Sequence, residues 1–343
     1  MSLGENTQSL IDSMKKIKII VFSAICLMFV GGVLLLVLNG LQNKKTKTAD
    51  EVSVRMKWFY NGIVTGWFAG LREGFYEEAG IDLKIFPGGP DINAIVLVAS
   101  GANTFGVAGA DEVLMAREKG IPVVAIGVLF KDSPLCFISK KEKGIVSPEL
   151  WTGKTIEVSY GGNEEIQYRA FKKKFNITDV KEVPYSFSLI PFIEGRVDIT
   201  VAYLVEQVIV LDARGIQLNI QASKDYGINP YGDVIITSEK MINEQPELVR
   251  RFMQATIKSM KWAIENRESA VAHLLEGTSG LNEDYESKVW NATIPFFIPN
   301  NDLNQIGIMQ PVRWTETKNM LVEFGFIPAS HDESKAFTNQ FVE

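Results

Sequence analysis

The 343-residue chain is poor in the side chains that do most covalent chemistry, with two cysteines, Cys26 and Cys136, and two histidines, His273 and His331. Two cysteines cannot build a disulfide framework, and two histidines leave little to hold a zinc ion. No G-x-S-x-G nucleophile elbow and no P-loop occurs. Neither Gly88-Gly89-Pro90 nor Gly161-Gly162 completes a dinucleotide fingerprint. His273 falls on a helical face with Ala270, Leu274 and Leu275, His331 sits near a polar tail, and neither has a Cys or Ser beside it. Cys136 reads as a small buried hydrophobe. Asn176-Ile-Thr and Asn291-Ala-Thr match the glycosylation triplet, which is common by chance. The inventory therefore offers no catalytic residue, metal site or cofactor site, and an enzyme is not expected. Basic charge is also scarce. The net charge is −6, and six of the 35 basic residues are lysines within residues 1–50. The remainder is still more acidic, which sets nucleic-acid binding aside, since such binding draws its affinity from phosphate contacts.

Apolar residues are present in ordinary globular proportion, at 46%, with 22% charged. One stretch departs from that average. Ile19–Leu38 carries no charge over twenty residues, about the length that spans a bilayer core as a helix. A signal peptide has a shorter apolar region and a small-x-small cleavage site, and Leu38-Asn39-Gly40-Leu41-Gln42 offers none. Bulky Ile25 before Cys26 disfavours lipidation. An uncleaved N-terminal anchor is expected, with a cleaved signal as the alternative. Three lysines lie on each side of the run, so charge does not orient it. Met14-Lys15-Lys16 resembles a natural start, which makes residues 1–13 an upstream extension. Residues 43–50 read as a polar tether to an extracytoplasmic body.

From Glu51 the chain alternates strand and helix patterns. Val52–Trp58 has the period-two alternation of a half-buried strand, and Trp67, Phe68, Leu71, Phe75 and Ala79 follow at helical spacing up to Gly80. Ile81–Phe86, Phe105–Ala108 and Ile121–Leu129 read as further strands with helices between them. After Lys131-Asp-Ser-Pro134 a second series runs through strands 154–160, 180–184, 198–203 and 217–221. Gly232–Thr237 returns as a strand, and Pro246 opens a long apolar helix face. Strands alternating with helices of this length predict α/β lobes built on parallel sheet. Residues 51–132 with 233–343 form lobe 1, residues 140–222 form lobe 2, and 133–139 and 223–232 are crossovers.

In open α/β sheets ligands bind beyond the carboxyl ends of strands. Those positions gather Trp58 and Asn61, with Trp67 on the next helix, and then Glu112. The second series adds Tyr160, Asn163, Tyr203 and Glu206, and the second crossover adds Tyr231. Taken singly, Trp67 and Tyr203 also suit a core. Together the segments offer aromatic walls and carboxylates with almost no Lys or Arg. Such a lining favours a neutral or cationic heteroaromatic ligand over a sulfonate or nitrate.

The same stretches resemble the substrate-binding proteins of ABC importers, in the group holding thiamine-pyrimidine, riboflavin, sulfonate/taurine and nitrate binders. The matching residues are Gly70–Gly80 with Ile81-Asp-Leu83, Leu97–Gly101, Phe105–Glu112 with Ala116-Arg117, and Gly120–Ile126. Leu150–Thr155, Gly195–Asp198, Val234–Thr237 and Pro246–Met253 also match, in order, across nearly all of 51–275. The resemblance implies a type II periplasmic-binding-protein fold, with two βα lobes joined by two crossovers closing on a solute. It also implies delivery to a membrane permease and its cytoplasmic ATPase. Val107–Arg117 and Tyr203–Glu206 are most similar to the thiamine-pyrimidine and riboflavin binders. By that similarity Trp58 and Asn61 line the first lobe, Glu112 the rim, and Glu206 accepts from a pyrimidine amino group. The histidine that the family carries after its first strand is absent, Asn61–Gly66 standing in its place. The expected protein is a membrane-tethered, monomeric binder of a small solute, with a sulfonate/nitrate-type binder or an uncoupled ligand-sensing domain as alternatives. A thiamine-pyrimidine synthase shares the fold but, by the same resemblance, needs an active-site His and a Cys-rich iron motif.

Overall fold

The computed structural model describes residues 49–342. The apolar run at 19–38 lies outside the described residues, and with it the anchor or signal expected there. Among the described residues no helix is long and apolar enough to cross a membrane.

The first lobe starts with β1 (Asp50–Arg55), whose Val52 and Val54 point into the core while Ser53 and Arg55 stay half-buried. Helices α1 (Thr65–Arg72) and α2 (Phe75–Glu78) lead to β2 (Ile81–Phe86). Then come α3 (Ala94–Ala99), capped by the Asn93 side chain, β3 (Phe105–Ala108), α4 (Ala110–Glu118) and β4 (Val123–Val128). The turns into β2 and β4 pivot on Gly80 and Gly120, at φ of 69° and 77°, a left-handed conformation that glycine adopts without a Cβ penalty.

The second lobe comprises β5 (Leu135–Lys140), β6 (Thr155–Val158), α5 (Asn163–Lys174), β7 (Lys181–Pro184) and α6 (Ile190–Ile193), then β8 (Ile199–Tyr203), α7 (Gln207–Ala213) and β9 (Leu218–Ala222). The chain then forms β10 (Val234–Ser238), α8 (Glu239–Glu244), α9 (Pro246–Glu265), α10 (Arg267–Gly277), α11 (Glu283–Phe297) and α12 (Pro311–Glu323).

The two sheets share one plan, with orders β2-β1-β3-β10-β4 and β7-β6-β8-β5-β9. Each is mixed rather than parallel throughout, because β10 and β5 run antiparallel to both their neighbours. The segment expected as the first crossover, 133–139, supplies most of β5. Leu135–Ile138 are buried on both faces of the sheet, so the stretch shows no alternation and follows Pro134 without a strand signature. The chain crosses between lobes just before β5 and just before β10, and the two passages are joined by Asn229. Its Nδ2 donates to Asp132 Oδ1 at 2.8 Å, and its Oδ1 accepts from Ser133 N at 2.9 Å. Arg313 of α12 donates to Asp132 Oδ1 and to the Asn229 carbonyl.

One core joins the first sheet to α1 and to the long helix α9, where Phe252 stacks on Phe105 with centroids 3.7 Å apart. A second runs from α4 and β4 into α5 and α12, with Trp151, Phe171 and Trp314 wholly buried.

Candidate ligand-binding cleft

Strand β1 ends at Arg55, and the chain then turns Lys57, Trp58 and Asn61 into the gap between the lobes. The loops after β3, β6 and β8 enter the same gap, bringing Glu112, Tyr160, Asn163, Tyr203 and Glu206. Trp58 stands half-buried in the middle. Its ring meets Phe59 edge-on at 5.3 Å and Phe187 of the other lobe at 5.8 Å. On one side of it lies a mostly apolar compartment, walled by Met56, Val64, Leu129, Phe130 and Phe297 and edged by Lys57, Asn61, Glu164, Glu206 and Asp233. On the other lies a more polar compartment of about 870 Å³, open to solvent, between the Gly89–Ile95 loop and the Ser159–Glu164 loop.

Each polar side chain has an identifiable anchor. Asn61 accepts from Ile63 N at 3.0 Å, capping a short turn, and its side-chain amide lies beside Glu206. Glu112 accepts from Gly109 N at 2.8 Å at the start of α4. The Tyr203 hydroxyl donates to Glu164 Oε1 at 3.1 Å and is 3.4 Å from Asn163 Nδ2. Tyr160 is half exposed at the mouth, where its hydroxyl donates to Glu182 at 2.9 Å. Trp67 is 2% exposed, stacked on Phe252, and forms the floor of the apolar compartment as well as the core beneath it.

One expectation is corrected. Tyr231 does not line the cleft: it is 1% exposed, its hydroxyl accepts from Gln310 N at 2.9 Å, and its ring lies between Arg313 and Trp314. Sequence alone could not show that α12 covers it. One lysine does enter the lining. Lys57 Nζ donates to the Gly232 carbonyl at 3.3 Å and pairs with Asp233 at 3.5 Å and Glu112 at 3.9 Å. The polar phase of the β1 alternation carried that signal, since Ser53, Arg55 and Lys57 share one face and Lys57 falls at the carboxyl end of the strand.

The electrostatics follow from burial. For Lys57 desolvation pulls the pKa down, but Tyr203, Asp233, Glu112 and Glu164 outweigh it and hold the ammonium well above its ordinary value. Burial raises Glu112 and Asp233, with Lys57 pulling both back. Asp111, wholly buried beside Glu112, is pushed up to about 7 by burial and then by that neighbouring carboxylate. Glu206 also reaches about 7 through burial, against the side-chain amides of Gln207 and Asn61, which favour its charged form. Both histidines lie outside this lining: His273 pairs with Glu73 and His331 with Glu118.

Two lobes of this order with a cleft at their strand ends constitute the α/β periplasmic-binding-protein fold. The aliphatic sulphonate binding protein SsuA of Escherichia coli superposes with a TM-score of 0.63, at 15% identity over 84% of this chain and 91% of that one. A protein-family model described as NMT1/THI5 like matches residues 61–270, and the chain belongs to that family. It is 25% identical to the riboflavin-binding protein RibY of Chloroflexus aurantiacus, over 86% of this chain and 87% of that protein. It is 29% identical to a formylaminopyrimidine-binding protein of Halalkalibacterium halodurans, over 73% and 79% of the two chains. A 4-amino-5-hydroxymethyl-2-methylpyrimidine phosphate synthase of Legionella pneumophila is 23% identical, over 85% and 92%.

Proposed function

We propose that this chain is an extracytoplasmic solute-binding protein that captures a planar heteroaromatic compound, of the thiamine-pyrimidine or flavin kind, and delivers it to an ABC permease and its ATPase. The observation that carries the reading is the aromatic and carboxylate lining around Trp58, with Glu206 and Asn61 set together from opposite lobes. An indole face stacks a flat ring, a carboxylate accepts from a ring amino group, and the amide beside it donates to a ring nitrogen. Relatives that bind riboflavin and formylaminopyrimidine support the ligand class. The apolar run at 19–38 supports an N-terminal membrane tether, and the protein acts as a monomer without covalent chemistry.

The test is thermal melting of the full chain in mild detergent with aminopyrimidines, riboflavin, taurine, aliphatic sulfonates and nitrate. A ligand at 100 times its dissociation constant adds about 2.7 kcal/mol, enough to raise the melting point by several degrees. A pyrimidine or a flavin is expected to give that rise, and Trp58→Ala or Glu206→Ala to remove it. A rise with anions alone would overturn the ligand class. Formation of 4-amino-5-hydroxymethyl-2-methylpyrimidine phosphate by the protein would favour the synthase reading that the Legionella relative raises.

A further inference from the structure

The turn that presents Asn61 is held from outside the cleft. Gly62, the next residue, lies directly against α11, which packs in the core of the first lobe. A Cβ at Gly62 would stand 2.5 Å from the Glu286 carbonyl oxygen, 2.7 Å from Val289 Cβ and 2.9 Å from Trp290 N. Only glycine lets the backbone come so near. At that contact the Gly62 N–H donates to Glu286 Oε2 at 2.5 Å, a buried bond between residues 224 positions apart. Glu286 is 2% exposed and lines neither compartment of the cleft. Burial raises its pKa, and the Gly62 N–H draws it back toward the charged form. On the other side of the same dipeptide, the Asn61 amide donates to Glu206 of the second lobe. Residues 61 and 62 thus stand between two buried carboxyl groups, one behind the turn and one across the cleft. The charge on Glu286 is felt at Glu206, and Tyr285 beside it feels both. Helix α11 also meets α7, which Glu206 opens. The cations near α11 are engaged elsewhere: Lys288 pairs with Asp284, and Arg267 of α10 donates to Asn291. Neither acts on Glu286 or Glu206.

We infer that Glu286 is a positioning residue for ligand capture, which fixes the aim of Asn61 through the Gly62 N–H and opposes the charge on Glu206 across the lobe boundary. The inference rests on the capture reading above and adds to it a residue that touches no ligand. A hydrogen bond from a backbone N–H to a carboxylate is the stronger, charge-assisted kind. The Asn61 turn is therefore preset before a ligand arrives and loses little freedom on binding. The second effect is electrostatic. Two buried like charges disfavour each other, so in the empty cleft Glu206 holds its proton more firmly than it would alone. A ligand amino group that donates to Glu206 relieves that opposition.

The test uses the full chain in mild detergent and two variants. Glu286→Gln keeps an acceptor for Gly62 and removes the charge, whereas Glu286→Ala removes both. Two measurements need no ligand. The carboxyl carbon signal that Glu206→Gln abolishes should titrate lower in Glu286→Gln, by about half a pH unit or more. Hydrogen exchange at the Gly62 amide should quicken about ten-fold in Glu286→Ala and stay within about three-fold of the parent in Glu286→Gln. The third measurement is calorimetric titration with 4-amino-2-methylpyrimidine between pH 5 and 8. In Glu286→Gln the midpoint of the pH profile should move down with Glu206, while affinity at pH 8 stays within about three-fold of the parent; Glu286→Ala should lose about ten-fold at every pH. The probe titrates identically against each protein, so a difference between profiles belongs to the protein. A merely structural role would weaken binding in both variants and leave the midpoint in place, and that result would overturn the proposal, as would an unmoved Glu206 signal. Should Glu286→Ala not fold, Glu286→Gln decides alone. If the probe does not bind the parent, the capture reading fails, and the two ligand-free measurements still uphold or overturn the action of Glu286 on Gly62 and Glu206.

Discussion

At the scale of single residues, the cleft holds carboxyl groups whose charge is poised near neutrality. Glu206 at about 7 is raised above an ordinary glutamate because burial penalises its charged form. A ligand amino group needs that charged form as acceptor. Affinity for an aminopyrimidine is therefore expected to rise with pH, up to ten-fold per unit below about 7, and to level off above it. Calorimetric titration between pH 5 and 8 reads this directly, and Glu206→Gln should give weaker binding with a flat profile. Asp111 acts on stability instead. Its folded pKa of about 7 exceeds its ordinary 3.8, so its contribution is complete below about 4 and is lost as pH climbs through 7. Asp111→Asn should raise the melting point at pH 8 and weaken its dependence on pH. A variant that melts lower at pH 8 than the parent would show that the charge is needed there. The residues that a reader of sequence finds are those whose role is set by their own loop, such as Trp58 and Asn61 after β1. Tyr231 was misjudged, and Lys57 was not singled out, for the complementary reason. The partner that defines the first, Gln310 with the helix behind it, lies 79 residues away, and the carboxylates that hold the second come from three other segments.

At the scale of elements, α1 and α9 pack closely against each other, and glycines permit it. A Cβ at Gly70 would fall within 3 Å of both Ser259 side-chain atoms, and one at Gly66 would meet the Met260 sulfur at 2.2 Å. Since the Ser259 Cβ is itself 2.7 Å away, no rotamer change relieves the clash. Gly70→Ala should cost about 1–3 kcal/mol, as overpacking does, and lower the melting point by several degrees. Leu71→Ala beside it, on an exposed position, should cost far less. Differential scanning calorimetry of the two variants decides, and equal losses would mean that the helices do not approach as described. Elements of this kind were largely legible in the sequence. Alternation marked β1 and β2, and the long apolar face after Pro246 marked α9. Strand β5 was not, because burial on both faces erases the alternation. The close approach at Gly66 and Gly70 was not, because the partner helix lies almost 200 residues downstream and is not named by any local pattern.

At the scale of the whole molecule, the lobes are not equivalent in how the chain builds them. Lobe 2 draws all five strands from one continuous run, β5 to β9, whereas the first sheet is completed by β10. That strand does not add at an edge. It sits between β3 and β4, bonded to both, so the first sheet carries a vacant slot until the chain has passed through the whole of lobe 2. The consequence concerns time. As the polypeptide emerges from a ribosome, the segment made first is the one that must wait longest to become complete. Closing it requires contacts between residues more than 100 positions apart, which are slow to form. Pulse-labelled hydrogen exchange during refolding should therefore protect amides of β5, β6 and β8 before those of β3 and β4. Simultaneous protection would mean that the slot closes no later than its neighbour. Until it does, the edges of β3 and β4 are unpaired strands of apolar residues, and the nascent chain has a reason to travel with a chaperone that its finished form does not.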